Sequence, residues 1–233
     1  VLFRSGKSFV DYAVDPFLSG VYAGDPYSLP TRLALPKLYH LEQQYGGFVR
    51  GSMALAKKKK SIRDKRATKE VFSTVGGFRS LINALGTAVG LDNISLERDN
   101  ITINLDNGKY VITCGDEQII ANYLITTCPS YALPSLLQFI PQAQLDTLNN
   151  LYYAPVIEIG VGIKHTGNVK WNAFGGLVPS HEKKDILGIL MPSACFTNRS
   201  PEGGATYAYF IGGAKHPEHL NKTDAELEQL VNQ

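Results

Sequence analysis

The stretch from Asp11 to Pro26, DYAVDPFLSGVYAGDP, constrains the fold most, because ordinary periodicity does not explain it. It opens like the end of an amphipathic helix and then meets Asp15-Pro16, where the proline ring disfavours a helical residue before it. Gly20 and Gly24 follow, on either side of Val21, Tyr22 and Ala23. Glycines four apart among apolar and aromatic residues let another backbone, or a flat ligand, come close. Two readings stay open at this point: a helix–loop–helix corner packed on its own core, and one wall of a binding site.

The pattern from Tyr27 to Met53 is helical. Leu33, Leu35, Leu38 and Leu41 are spaced for a buried stripe, and Pro36 falls in a first turn or marks a kink. Lys37, His40, Glu42 and Gln43 face outward on that pattern. Further on, VFSTV predicts a short strand, Gly76-Gly77 a turn, and FRSLINALGTAVG an amphipathic helix. ISLERD, ITINLD, KYVITC and QIIANYLITT predict four short strands, with Asn107-Gly108 a strong hairpin signal between the second and third. Helices are predicted from Tyr131 to Leu137 and from Pro141 to Leu148. In the last third, YYAPVIEIGVGIK, AFGGLVP, DILGILMPS and GATYAYFIGGA predict an antiparallel sheet with one buried face. Thr223-Asp224 cap a final helix, AELEQLVNQ. The expected class is α+β, and the chain, which begins without methionine and ends inside a helical pattern, is expected to be an internal piece of a longer protein.

A chain of 233 residues buries a sizeable core, and 44% apolar with 19% charged residues describes a folded protein. Cys114, Cys128 and Cys195 share no metal-like spacing and suggest reduced thiols of a cytoplasmic protein. No apolar run reaches the roughly 20 residues that cross a bilayer. The net charge of +2 conceals an asymmetry, since Lys57 to Lys69 holds eight basic residues and one acidic residue. A solvated loop is the default reading of that run, and contact with anionic lipid headgroups is the functional one. Nucleic acid is disfavoured, because no aromatic residue interrupts the run to stack on bases.

The usual catalytic signatures are missing: there is no nucleophile elbow, P-loop, HExxH or paired metal ligands. His40, His165, His181, His216 and His219 are scattered and read as surface residues. Gly160-Val161-Gly162 lacks a third glycine and continues as a strand, so it is no dinucleotide turn. On its own residues the chain offers a shaped surface, and a cofactor would have to supply the chemistry.

Three regions carry a resemblance. DYAVDPFLSGVYAGDP with LALPKLYHLEQQYGGFVRG (33–51) closely resembles the helical domain of the protoporphyrinogen oxidases, flavoenzymes of the flavin amine oxidase superfamily. FSTVGGFRSL (72–81), with the strands after it and ITTCPSYALPSLL, is similar to the superfamily at large. AFGGLVPS (173–180), DILGILMPSACFTNRSPEG (185–203) and YFIGGAKHP (209–217) follow the protoporphyrinogen oxidase order and spacing. The resemblance implies residues 1–70 as a helical, membrane-facing substrate subdomain with a basic loop. It implies 71–150 as part of a FAD-binding domain, and 151–233 as the substrate sheet and the start of a following helix. It places Gly20, Ala23, Phe174, Gly175, Leu177, Leu190, Phe196 and Phe210 in a tetrapyrrole pocket, and the Ile101 main chain against the adenine end of FAD. It assigns no catalytic base.

The implied reaction is oxygen-dependent oxidation of protoporphyrinogen IX, or coproporphyrinogen III, to the porphyrin, at the cytoplasmic face of a membrane. Another flavin amine oxidase or desaturase, and a non-catalytic porphyrin- or membrane-binding protein, are the alternatives; oligomeric state is left open. Thr197-Asn198 and Pro30 depart from the family pattern. The flavin phosphate loop, the last flavin segment and the propionate-holding arginine of the family are expected outside the chain.

Overall fold

The structure, a computed structural model, describes residues 6–59, 61–68, 70–168 and 173–232. The fold is α+β, and the chain divides into two compact units, one of Val1–Ser73 with Ala154–Gln233 and one of Thr74–Tyr153.

The first unit opens on a helical run that Asp15-Pro16 does not break. A turn at Lys7–Phe9 passes into a π-helical turn, Val10–Val14, and then into α1, Asp15–Tyr22. A proline ring in a straight α-helix presses on the carbonyl four residues back, here Tyr12. The wider π-turn, in which the Asp15 N–H reaches the Val10 carbonyl, relieves that contact, so the helix continues where the sequence predicts a stop.

The helical pattern over 27–53 resolves into three helices, α2 Thr31–Ala34, α3 Pro36–Tyr45 and α4 Phe48–Ala56, with Pro36 in the first turn of α3. Leu35, outside the helical region before Pro36 (φ −129°, ψ 58°), ends α2, and a left-handed Gly46 (φ 72°) ends α3. The breaks turn the leucine stripe: Leu41 is buried, while Leu33 is exposed. Within the basic segment, α5, Ile62–Arg66, is held by a Ser61–Asp64 capping box and is exposed throughout. Lys60 and Lys69 lie outside the described residues.

In the second unit, Gly76 and Gly77 turn the chain into α6, Phe78–Val89. No residue of α6 is buried, and Phe78, Ile82, Leu85 and Val89 leave an open apolar face. Three antiparallel strands follow, β1 Ile101–Asp106, β2 Lys109–Cys114 and β3 Glu117–Ala121, in that order. Asn107 (φ 46°) and Gly108 (φ 75°) form the tight turn between β1 and β2, as their pairing predicts.

VFSTV and ISLERD are not strands. Among the described residues ISLERD pairs with no strand, which leaves β1 as the edge of its sheet. The pairing of β3 also stops at Ala121, opposite Tyr110, because β2 there enters the hairpin turn. Helices α7, Leu133–Leu136, and α8, Gln142–Asn149, close Leu137 and Leu145 over Ile103 to make this unit's core.

The first unit resumes with β4 Val156–Ile163, β5 Gly175–Leu177, β6 Ile186–Leu190, the turn α9 Pro192–Cys195, β7 Ala205–Gly212 and α10 Asp224–Val231. The antiparallel sheet runs β4-β7-β6-β5, so β7 is internal and holds Ile211 fully buried. Burial of that side chain contributes about 1.5–3 kcal/mol. The predicted cap of α10 is present as a Thr223–Glu226 capping box. Cys114, Cys128 and Cys195 are free thiols. No helix among the described residues is long and apolar enough to cross a membrane.

Candidate functional site

Helix α1 lies against β5 and β6, and Gly20 sets how near it comes. A Cβ there would stand 2.5 Å from Leu177 Cδ2 and 3.4 Å from the Leu187 carbonyl, so a side chain would push helix and sheet apart or turn Leu177 away. The sheet register puts Leu177, Gly188 and Phe210 in one row across β5, β6 and β7, and Gly175, Leu190 and Ala208 in the row two residues along. Side chains of both rows share one face, because a strand alternates with period two.

Between that face and α1 lies a cleft of about 460 Å³. Its lining is Gly20, Val21, Phe174, Gly175, Gly176, Leu177, Gly188, Ile189, Leu190 and Phe210. Every one is glycine or apolar, so among the described residues no lining side chain could move a proton or hold a metal. Phe174, part of this lining, is more than half exposed. Six of the eight residues expected in a tetrapyrrole pocket therefore meet here: Gly20, Phe174, Gly175, Leu177, Leu190 and Phe210.

Two do not line the cleft. Ala23 takes a left-handed conformation (φ 52°) at the end of α1, where its carbonyl accepts the Ala214 N–H at 2.7 Å and ties the helix to the end of β7. Phe196 follows α9, half-buried, with the Arg199 guanidinium carbon 5.7 Å above its ring. Arg199 in turn donates to Ser73 Oγ at 2.8 Å. Ile101, in the other unit, begins β1 opposite Cys114 and packs against the Ile103–Leu137–Leu145 core.

What fixes α1 on the sheet is an ion pair that sequence reading missed. Asp15, only 5% exposed, receives the Ser180 N–H at 2.7 Å and the Ser180 hydroxyl at 3.0 Å. Lys215, three residues past β7, pairs with the same carboxylate and reaches Ser180 Oγ at 2.7 Å. Burial pushes the Asp15 carboxyl up, but the Lys215 hydrogen bond and the two from Ser180 outweigh it and hold it below the ordinary value. One sequence signal was available: an aspartate flanked by Val14 and Pro16 in an otherwise apolar helix needs a partner. His219 is a second correction, since it is 4% exposed and not at the surface.

The family described as flavin containing amine oxidoreductases matches residues 2–233. The chain belongs to that family. Among curated relatives, the chloroplastic protoporphyrinogen oxidase of Nicotiana tabacum is 30% identical over 248 residues, covering 97% of this chain and 45% of its own length. An Exiguobacterium protein assigned as a protoporphyrinogen oxidase superposes with a TM-score of 0.78 at 21% identity, over 99% of this chain and 48% of its own. Cyclohexylamine oxidase from Brevibacterium oxydans gives 0.58 at 14% identity, over 94% and 44%. These two likenesses show the fold. The chain spans about half the length of the curated relatives it matches. Membership in the flavin containing amine oxidoreductases implies FAD as the cofactor, which would supply the chemistry that the described lining residues do not.

Proposed function

We propose that this chain supplies the substrate cleft, and part of the flavin-binding domain, of an oxygen-dependent enzyme that oxidises protoporphyrinogen IX or coproporphyrinogen III to the porphyrin. The cleft carries this reading. A porphyrinogen is a broad apolar macrocycle with carboxylate arms at its rim, and it suits a wide slot lined by Phe, Leu and glycine without charge. Phe174, Leu190 and Phe210 would bear on its ring, while Gly20 and Gly175 let main chain approach it. The same apolar lining would exclude water from the reacting carbon.

The chemistry that bound FAD would supply is acceptance of hydride equivalents, with oxygen as the final acceptor and hydrogen peroxide as its product. Within this chain its fit rests on β1: an edge strand turns alternate main-chain groups away from β2, and Ile101 is offered there to the adenine end. The unit Thr74–Tyr153 is read as flavin domain, and the other unit as helical and sheet parts of the substrate domain. The apolar face of α6 would be covered by the remaining half of such an enzyme. The basic segment around α5 is read as a contact with anionic lipid headgroups at the cytoplasmic face of a membrane.

The test is the product of the complete gene. Flavin that co-purifies, with fluorescent porphyrin and peroxide formed from porphyrinogen in air, supports the reading. A folded, flavin-free product that leaves porphyrinogen at its chemical background overturns it in favour of a binding protein. Turnover of amines alone would move it to the amine oxidases.

A further inference from the structure

The turn after β7 carries chemistry that the cleft does not use. His216 precedes a 3-10 turn, Pro217–Asn221, which holds Glu218 and His219. One potential ligand atom from each of the three residues lies within 4.8 Å of the other two. His216 Nδ1 and Glu218 Oε1 are already 2.9 Å apart.

His219 is the telling residue. It is 4% exposed, yet neither ring nitrogen has a hydrogen-bond partner. Asp185 Oδ1 approaches its Nε2 to 3.3 Å without completing a hydrogen bond. A buried imidazole left so is costly, and structures retain such groups when something else satisfies them. Here a second imidazole, 5.7 Å away ring to ring, and a carboxylate each offer a ligand atom within 4.8 Å of one on His219.

We propose that His216, Glu218 and His219 form a binding site for a divalent transition metal of the zinc class, with Asp185 orienting His219 or joining as a fourth donor. Two imidazoles and one carboxylate suit zinc, nickel or copper; calcium and magnesium want oxygen ligands throughout. A carboxylate at a ligating histidine is the usual outer partner of such sites. The metal would brace the turn that begins two residues after Lys215, and so support the ion pair that holds α1 on the sheet. This inference does not rest on the reading of the cleft.

Tag-free, chelator-treated full chain is titrated with Zn2+ by calorimetry, and with Co2+ while its visible absorption is recorded. The expected result is saturable uptake of one equivalent, cobalt bands of a low-coordinate site, and a melting temperature that rises with Zn2+. His216→Gln and Glu218→Gln alter exposed or half-exposed side chains, and each is expected to weaken binding at least tenfold while metal-free melting stays unchanged. Asp185→Asn is expected to weaken it about 10–100-fold. No saturable uptake by the folded wild-type chain, or uptake that survives both His216→Gln and Glu218→Gln, overturns the proposal.

Discussion

Replacing Lys215 with methionine strands the Asp15 carboxylate. Methionine keeps most of the apolar stem but leaves a 5%-exposed charge with only its two Ser180 donors. Removing one partner of a buried pair costs about 3–5 kcal/mol, because the other charge stays desolvated. For a domain of this size about 2–4 °C of melting temperature goes with each kcal/mol, so a loss of roughly 6–20 °C is expected. The assay is urea and thermal unfolding followed by circular dichroism for wild type, Lys215→Met, Asp15→Asn and the double variant.

The double variant should lose less than the sum of the singles, since neither charge remains uncompensated. Acid behaviour follows from the sign. The folded-state value of Asp15 lies below that of the unfolded chain, about 3.9, so its contribution is complete above that pH and is lost as pH falls through the folded value. Lys215→Met removes the main opposing cause and raises the folded-state value, so the variant should lose less stability than wild type on acidification, and its deficit should be widest above that pH and narrow below it. A Lys215→Met loss under about 1 kcal/mol, or strictly additive singles, would refute a role for this pair in fixing α1.

Other outcomes follow from particular contacts. Gly20→Ala gains about 1 kcal/mol of helix propensity against a similar cost for rotating Leu177, so melting should hardly move while binding of an apolar ligand in the cleft weakens. Unchanged ligand affinity would contradict that. Gly108→Ala forces a side chain into φ 75° and should cost about 1–2 kcal/mol, read as faster amide exchange across β1 and β2. Thr223→Ala removes the capping box of α10 and should speed exchange over Asp224–Leu227 without altering the cleft.

Local rules carried the sequence reading where neighbours along the chain decide the outcome. Asn107-Gly108, the Gly76-Gly77 turn into α6, the Thr223 cap and the four last strands are all of that kind. The reading failed where a break or turn in the backbone overrides composition and spacing. ISLERD has strand composition but pairs with no strand among the described residues, and Leu33 has helical spacing but sits on a helix cut short before Pro36. Asp15-Pro16 reads as a stop, and the π-turn that rescues it leaves no signature in composition.

The cleft was legible in the same uneven way. Gly20, Phe174, Gly175, Leu177, Leu190 and Phe210 come from segments up to 190 residues apart, and only their resemblance to a known pattern grouped them. That pattern carried Ala23 and Phe196 along, which the geometry assigns to a tie between α1 and β7 and to a stack with Arg199. The Asp15–Lys215 pair spans 200 residues, so no local rule could join its halves.

The account turns on whether the slot beneath α1 receives a macrocycle. Val21 lines it from an exposed helix position, so Val21→Trp should fill the slot at little cost to folding. Protoporphyrin IX fluorescence, titrated with wild-type chain, Val21→Trp and a control, Ile120→Trp on exposed β3, measures occupancy. Saturable binding that falls at least tenfold in Val21→Trp, about 1.4 kcal/mol, and holds in the control is the predicted result. Equal affinity in wild type and Val21→Trp, with both chains folded, would contradict it.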